Sequence, residues 1–552
     1  MNLSAFDLVI FFGSLIAIMG VGMWAGRKED DSEDFYLAGR RTKWWGVAGS
    51  IFGSNVSANH LVGMMGMGFA FGFAQSHFEI TAIVGLLVLT YLLLPVYRKL
   101  NVFTLSEYLS RRYGEGSRLT YAMIMLVIMI VIQMVPGFYI GSRSVNILLQ
   151  GDTGNKGAIE AVVGDDGSIR EFNIASAGRG YDSAPKILLR GAEVQEIDAE
   201  VVLTGGKITS VSLGQPLTGF DPAAPPKAIL RGGSRLGQGL NPGDVQPRWY
   251  MIGILIMAVV TGTYTIFGGL RAVIFTDVIQ SILLLVAGLI VAFVTFSQPE
   301  IGSWANMVAM DKASDGMQRL HLYNSIDHPK LPWTGVLSGL MVLHFYYWGA
   351  NQFIVQRALA AKSDKEARVG IITAGFMKLL IPFISIGTGI AAYYVFAERM
   401  PGVAVDGDTA FPLLLREVVA PAGIAGLVGL VAAGLIGAIL SSVDSMLNSA
   451  ATLITFDFYK RFVNPQATDK QLIRMGRMLI GVMVVGCALL TIAVFDPNTK
   501  QLFFTYVASH QSKLVGGVVV AFAVGMLWKG ATAAGGFASI ITGVVVSYAV
   551  VP

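Results

Sequence analysis

The sequence predicts an all-α polytopic membrane protein that carries a small inserted all-β domain. Three observations predict this. Apolar residues make up 54% of the 552-residue chain and charged residues only 14%, against roughly 25% charged in soluble domains. Twelve apolar stretches recur at 5–26, 45–73, 79–98, 118–148, 248–267, 272–297, 334–355, 369–397, 421–450, 475–495, 501–527 and 531–551. Most run about 18–25 residues, the length of a helix that crosses ~30 Å of hydrocarbon. Between the fourth and fifth stretches, residues 150–246 contain no Met, Trp or His, yet hold 21 of the chain's 76 charged residues.

The first stretch begins after Met1-Asn2-Leu3 without the basic region or small-residue cleavage site of a signal peptide, so it is expected to remain as a span. Basic residues cluster in alternate connections: Arg27, Lys28, Arg40, Arg41 and Lys43; Arg98, Lys99, Arg111 and Arg112; Arg357, Lys362, Lys365 and Arg368; Lys460, Arg461, Arg474 and Arg477. The positive-inside rule makes those connections cytoplasmic and puts both termini outside. The expected location is the plasma, or inner, membrane. The last stretch runs into Val551-Pro552, the pattern of a chain shortened before further helices.

Three domains are expected: 1–149 with the first four spans, 150–246 as the insertion, and 247–552 with the remaining eight. The insertion alternates apolar and polar residues between Gly- and Asp-rich turns, the signature of strands. Gly167-Ser168-Ile169 through Gly180-Tyr181 to Pro185–Gly191 is repeated as Gly206-Lys207-Ile208 through Gly219-Phe220 to Pro226–Gly232, about 39 residues later. Two similar β units are expected, on the extracytoplasmic side, as a structural module or a contact surface for an outside partner.

Composition excludes several functions. One cysteine, Cys487, excludes a disulfide framework, and a net charge of +4 gives no case for nucleic acid. We find no His/Cys metal spacing, phosphate loop or nucleophile elbow, so an enzyme is not expected.

Charge inside a membrane is costly and marks function. Glu79, Asp277, Lys378, Asp444 and Lys513 lie within or at apolar stretches, as do His60, His77, His344 and His510. Two segments read as helix breaks. Gly49 to His60 is small and polar, and Tyr346-Tyr347-Trp348-Gly349-Ala350-Asn351-Gln352 takes the same part five spans later. Unwound backbone at membrane depth lines a cavity and frees carbonyls for Na⁺. An odd offset inverts topology, which is the pattern of a five-plus-five inverted repeat. A third polar segment, Ser441-Ser442-Val443-Asp444-Ser445, sweeps about 100° per residue and offers hard oxygen ligands that suit an alkali cation.

These segments resemble the sodium:solute symporter family, and most the branch of the sodium/glucose-type sugar cotransporters. The resemblance is carried by Asp34–Arg40, Thr104–Leu109 with Arg112-Tyr113-Gly114, Tyr264–Val273 with Thr276–Gln280, Asn351–Arg357 and Ser441–Ser449. It covers 1–149 and 247–552. It implies a LeuT-type fold with an extra N-terminal helix, and Na⁺-coupled import of a small polar solute by alternating access. It also implies a first sodium site at the carbonyls of Gly53, Val56 and Ala438 and the hydroxyls of Ser441 and Ser442. A second set is Asp277, Ser441, Asp444 and Ser445, where Asp444 replaces a common hydroxyl, so one or two Na⁺ are expected. The implied solute contacts are Asn55, His60, Glu79, His344, Tyr347, Trp348 and Lys378, with Phe78 and Tyr347 as gates. A sugar or polyol fits these best. Two departures leave an anionic sugar such as sialic acid open: Ala508 stands where sugar carriers often have Gln, with Ser509 and Gln511 nearby, and Lys513 adds a cation. A transporter-like solute sensor is the alternative of another class.

Overall fold

The computed structural model describes residues 4–27, 31–57, 59–149, 158–177, 181, 183–190, 194–231, 233, 245–314, 317–328, 331–399, 405–499 and 502–550. Lys28, the repeat's Gly180, Gly191 and Gly232, and the terminal Val551-Pro552 lie outside the described residues.

Among the described residues, nine helices are long and apolar enough to cross a membrane, against twelve apolar stretches in the sequence. The difference has two physical sources. Pro247–Phe296 runs for 50 residues, about 75 Å at 1.5 Å per residue, more than twice the hydrocarbon thickness. It turns at Gly269, whose φ of 48° and ψ of −156° are open essentially only to glycine. The stretches 45–73 and 334–355 are not continuous helices. Trp44–Asn55 stops before Asn59–Met64 and Met65–Phe71, and Phe345–Gly349 stops before Gln352–Leu359.

The helix Leu427–Val463 is the centre of the bundle. In its most apolar window 89% of residues are buried, against 22% for Ala5–Ala25 and 11% for Ala533–Val550 at the periphery. The outer helices turn large apolar side chains outward, among them Val259, Phe293, Phe376 and Val482. Seven of the eight tryptophans (Trp24, Trp44, Trp45, Trp249, Trp304, Trp333 and Trp528) are exposed at or beside helix ends. Amphipathic rings anchor there at a membrane–water boundary. The eighth, Trp348, is buried.

One basic residue lies elsewhere than its sequence position suggests. Arg357, counted above with the loop cations, is fully buried in Gln352–Leu359. Its neighbours are described below.

The insertion forms eight strands: β1 (Ala158–Val163), β2 (Ser168–Ser176), β3 (Lys186–Arg190), β4 (Val194–Ile197), β5 (Ala199–Thr204), β6 (Lys207–Leu213), β7 (Leu217–Thr218) and β8 (Lys227–Arg231). They pair in the orders β1-β2-β7, β4-β3-β8 and β5-β6. The repeats interlock. β3 and β8, equivalent strands of the two copies, pair antiparallel about Leu188 and Ile229. The Tyr181 N–H donates to the Gly206 carbonyl at 3.0 Å, and the equivalent Phe220 N–H donates to Gly167 at 3.1 Å. Ile159, Ile169, Phe172, Tyr181, Ile187, Leu189, Ile197, Val201 and Ile208 form a core separate from that of the helices. Among the described residues, Arg190 pairs with Glu398, and Val245 and Asn498 exchange hydrogen bonds, the Val245 N–H donating to Asn498 Oδ1 at 2.8 Å and Asn498 Nδ2 to the Val245 carbonyl at 3.2 Å; these join the module to the bundle.

The turn at Gly269 gives a stability prediction. Gly269→Ala places a Cβ in this strained backbone region at a cost of about 1–3 kcal/mol. Detergent-solubilised protein should therefore unfold at a lower temperature than wild type, read by a thermal melt.

Candidate functional site

The first break ends a helix at Asn55, and that end organises the site. The Val56 N–H still reaches the Phe52 carbonyl at 2.7 Å, but the Ser57 N–H turns to Asn55 O and leaves Gly53 O without its helical donor. Carbonyls at a helix C-terminus carry partial negative charge and need a partner. The central helix supplies hydroxyls to them. Ser441 Oγ lies 2.8 Å from Gly53 O and 3.1 Å from Ala438 O. Ser442 Oγ lies 3.1 Å from Ser54 O and 3.4 Å from Ala438 O. Ser442 thus faces the Ser54 carbonyl, a neighbour outside the expected set of Gly53, Val56 and Ala438 carbonyls. Gly53 allows the close approach to Pro247–Phe296: a Cβ there would lie 2.5 Å from Ser281 Oγ and 2.8 Å from the Asp277 carbonyl.

Deeper in the bundle lies a fully buried charged set. Asp277 Oδ2 accepts from Ser50 Oγ at 2.6 Å and Ser54 Oγ at 3.0 Å. Ser54 Oγ also meets Ser445 Oγ at 2.7 Å and accepts from Arg357 Nε at 3.0 Å. Asp444 Oδ2 accepts from the Tyr264 hydroxyl at 2.6 Å. Asp277, Asp444 and Arg357 are each fully buried. One oxygen of each carboxylate, and Arg357 Nη2, have no hydrogen-bond partner. Two fully buried carboxyl groups face one guanidinium, so one of them is either protonated or matched by a further cation. Among the described residues, Ser441 Oγ bonds the Gly53 and Ala438 carbonyls and neither Asp277 nor Asp444.

Beside the break is a cavity of about 110 Å³, lined by Asn55, His60, Glu79, His344, Tyr347, Trp348, Lys378, Gln133 and Gln511, with Ser54, Ser57 and Ser442. Its apolar lining includes Met64, Phe78, Ile439, Val443, Met446, Phe503, Phe504 and Val507. Glu79 is the hub. Its Oε2 pairs with Lys378 Nζ at 2.6 Å, and its Oε1 lies 3.1 Å from His60 Nε2. The Ser57 N–H, shared with the Asn55 carbonyl at 3.0 Å, also lies 3.3 Å from His60 Nδ1, a geometry that favours the tautomer with its proton on Nε2, pointing at Glu79. Lys378 also donates to Asn55 Oδ1 and lies 4.9 Å from the Trp348 ring. Asn55 Nδ2 donates to the Tyr347 hydroxyl at 3.0 Å. Thr81 gives its proton to the His77 carbonyl, so it accepts from His344 Nε2 at 2.8 Å.

Phe78 meets Phe504 edge to face, with ring centroids 4.9 Å apart. The pair lines both this cavity and a second one of about 280 Å³ that runs along Gln75, Leu331, Gly335, Thr505, Ser509 and Ser512. Tyr347 packs against Phe353 on another side, at 6.0 Å.

The structure therefore gathers all seven sequence-nominated solute contacts around one cavity, with Phe78 and Gln511. Lys513 is not brought there. It lies on another face of Phe503–Leu527, with its ammonium 5.4 Å from the Tyr548 ring. A shift of two residues from Gln511 turns a helical side chain through about 200°, so the expectation of a cation facing solute is corrected.

A model of the sodium:solute symporter family matches residues 35–152 and 248–543. The chain belongs to that family. The two matched segments flank residues 153–247, which hold the eight strands. Among curated relatives, the sodium/glucose cotransporter of Vibrio parahaemolyticus is 27% identical over 565 residues, covering 98% of this chain and 84% of that protein. The sodium/myo-inositol cotransporter 2 of Oryctolagus cuniculus is 26% identical over 570 residues, covering 98% and 68%. A solved structure, the substrate-bound outward-open state of a Na⁺-coupled sialic acid symporter, matches with a TM-score of 0.67 at 18% identity. It covers 100% of this chain and 99% of that one and shows the fold. This symporter-family chain is an integral membrane protein of the transporter class.

Several contributors escaped the sequence reading. Ser50 and Ser54 stood in the quoted segment, and their spacing of four puts them on one helix face. Gln133, a lone amide in an apolar run, carried the same signal as Lys378. Arg357 was masked by its place beside loop cations. Phe504 carries no signal, because a gate phenylalanine and a core phenylalanine look alike in sequence.

The Glu79–Lys378 pair gives a test. Glu79→Gln leaves a buried ammonium without its carboxylate, at a cost of about 3–5 kcal/mol. Its melting temperature should fall well below that of wild type, and Glu79→Gln/Lys378→Met should recover part of the loss.

Proposed function

We propose that the protein imports a neutral, hydroxyl-rich monocyclic solute, a sugar or a cyclic polyol, together with one or two Na⁺. The observation that carries this reading is the charge balance of the cavity. Glu79 is matched by Lys378, and the Ser57 N–H favours a neutral His60. A neutral solute enters without leaving a buried charge unpaired. A carboxylate would find Lys378 already committed, and Lys513 is elsewhere. The names of the glucose and myo-inositol relatives agree with a hydroxylated ring.

Sodium enters as cargo at Gly53, Ser54 and Ala438 carbonyls and Ser441 and Ser442 hydroxyls, with the Val56 carbonyl completing the set on rearrangement. The carboxyl pair of Asp277 and Asp444, with Ser445 beside it, takes a second cation, Na⁺ or a proton. Twelve crossings follow if the helix turning at Gly269 counts twice and the two broken helices each count once. The breaks then fall in equivalent members of two inverted five-helix repeats behind Ala5–Ala25, the LeuT-type arrangement. The termini and the module (150–246, between 1–149 and 247–552) lie outside the plasma or inner membrane. Val245 meets Asn498 just ahead of Phe503 and Phe504, which supports a module that returns at the outer-gate end.

In this mechanism Na⁺ draws the broken helix against the central helix and favours the outward-facing state, which requires unequal Na⁺ affinity in the two states. The solute passes Phe78 and Phe504, binds Asn55, His60, Glu79, Trp348 and Lys378, and the gate closes. Tyr347 then yields toward the cytoplasm. Each Na⁺ moving down ~100 mV supplies about 2.3 kcal/mol, enough to drive accumulation.

Ser442→Ala and Asp277→Asn each remove one oxygen ligand or charge. Each should raise the Na⁺ concentration for half-maximal uptake about tenfold, equal to ~1.4 kcal/mol. Unchanged Na⁺ dependence of tracer uptake in both variants contradicts the assignment.

A further inference from the structure

The charged hub accounts for the polar groups contributed by five helical segments, but the cavity has another polar feature. Gln133 comes from Glu115–Leu148 and Gln511 from Phe503–Leu527, and these two helices otherwise contribute only glycine, alanine and apolar side chains to the lining. Gln133 Nε2 donates to Gln511 Oε1 at 2.5 Å, and both side chains are buried. That bond uses one donor and one acceptor. It leaves Gln133 Oε1 as an acceptor and Gln511 Nε2 as a donor, with no protein partner among the described residues.

Two amides locked to each other in an apolar wall add no packing that leucine would not add. They also carry a desolvation cost unless the remaining groups are met. A carboxylate accepts from Gln511 but cannot donate to Gln133, and an ammonium does the reverse. A methyl group does neither. A hydroxyl does both, accepting from Gln511 Nε2–H while donating to Gln133 Oε1.

We infer that Gln133 and Gln511 form a hydroxyl-reading pair that sets which neutral ring the protein accepts. The pair recognises one hydroxyl of the solute, while the Glu79–Lys378–His60–Asn55 hub holds others. Its position one turn beyond Ala508 on the same helix supplies, from a different backbone level, an amide that Ala508 cannot. The inference rests on the neutral-solute reading of the cavity above.

The test is Na⁺-driven uptake of glucose and myo-inositol, and of their single-position deoxy and O-methyl analogues, in proteoliposomes. In wild type, removal of the hydroxyl read by the pair should raise half-saturation about three- to tenfold, the effect of one neutral hydrogen bond. O-methylation at that position should cost as much, because it removes the donor. In Gln133→Leu and Gln511→Leu that ratio should fall to about one. Ratios that stay at the wild-type value for every position in both variants overturn the proposal and leave the neutral-solute reading standing. Wild-type protein that carries neither parent solute nor any analogue overturns both. If a leucine variant does not fold, Gln133→Asn and Gln511→Asn carry the same comparison, since they keep the amide and withdraw it from the ring.

Discussion

The structure depends on one constraint: backbone at membrane depth must be paired. The helix that starts at Trp44 stops at Asn55 and leaves the Gly53 carbonyl with no donor from its own helix. In a soluble protein water would satisfy it. Here a serine of the central helix does, and that arrangement of converging oxygens is also a place for a monovalent cation. Much else follows. Gly53 lets Asp277 and Ser281 come close, the buried central helix must carry Ser441 to Ser445 at the right height, and the chain leaving the break places His60 against Glu79.

The buried charges fall into two groups with different balances. Around the cavity, Glu79 and Lys378 cancel and the Ser57 N–H favours a neutral His60. In the deeper set, Asp277 and Asp444 outnumber Arg357 by one. The first group suits an uncharged guest, and the second calls for a cation or a proton. This difference ties solute entry to ion entry without any direct contact between the two, since both act on the same break. Ser54 joins them: its carbonyl faces Ser442, its hydroxyl bonds Asp277, Ser445 and Arg357, and its side chain also lines the cavity.

Much of this was legible in the sequence because membranes make polar residues conspicuous. Asn55, His60, Glu79, Lys378 and Asp444 stand out in apolar runs, and the small polar segment at 49–60 announces a break. The alternation and the repeat of 150–246 announced strands, though not that the copies interlock through β3 and β8. What the sequence hid was distance-dependent. Arg357 sits five residues from Lys362 and looked like a loop cation, but its helix carries it inward to Ser54. Lys513 stood as an added cation in an apolar run, and the turn of the helix sends it to Tyr548. Only the folded backbone shows that the Ser54 carbonyl meets Ser442.

The central claim is that cation binding at the helix break and entry of a neutral ring are one coupled event. Dual-label uptake in proteoliposomes tests it most directly, with ²²Na⁺ and a labelled neutral polyol followed together under an imposed Na⁺ gradient. The account predicts that the polyol accumulates only with the Na⁺ gradient and that Na⁺ entry rises with polyol in a fixed ratio. Equal accumulation in Na⁺-free K⁺ medium, or Na⁺ entry indifferent to the polyol, would contradict it.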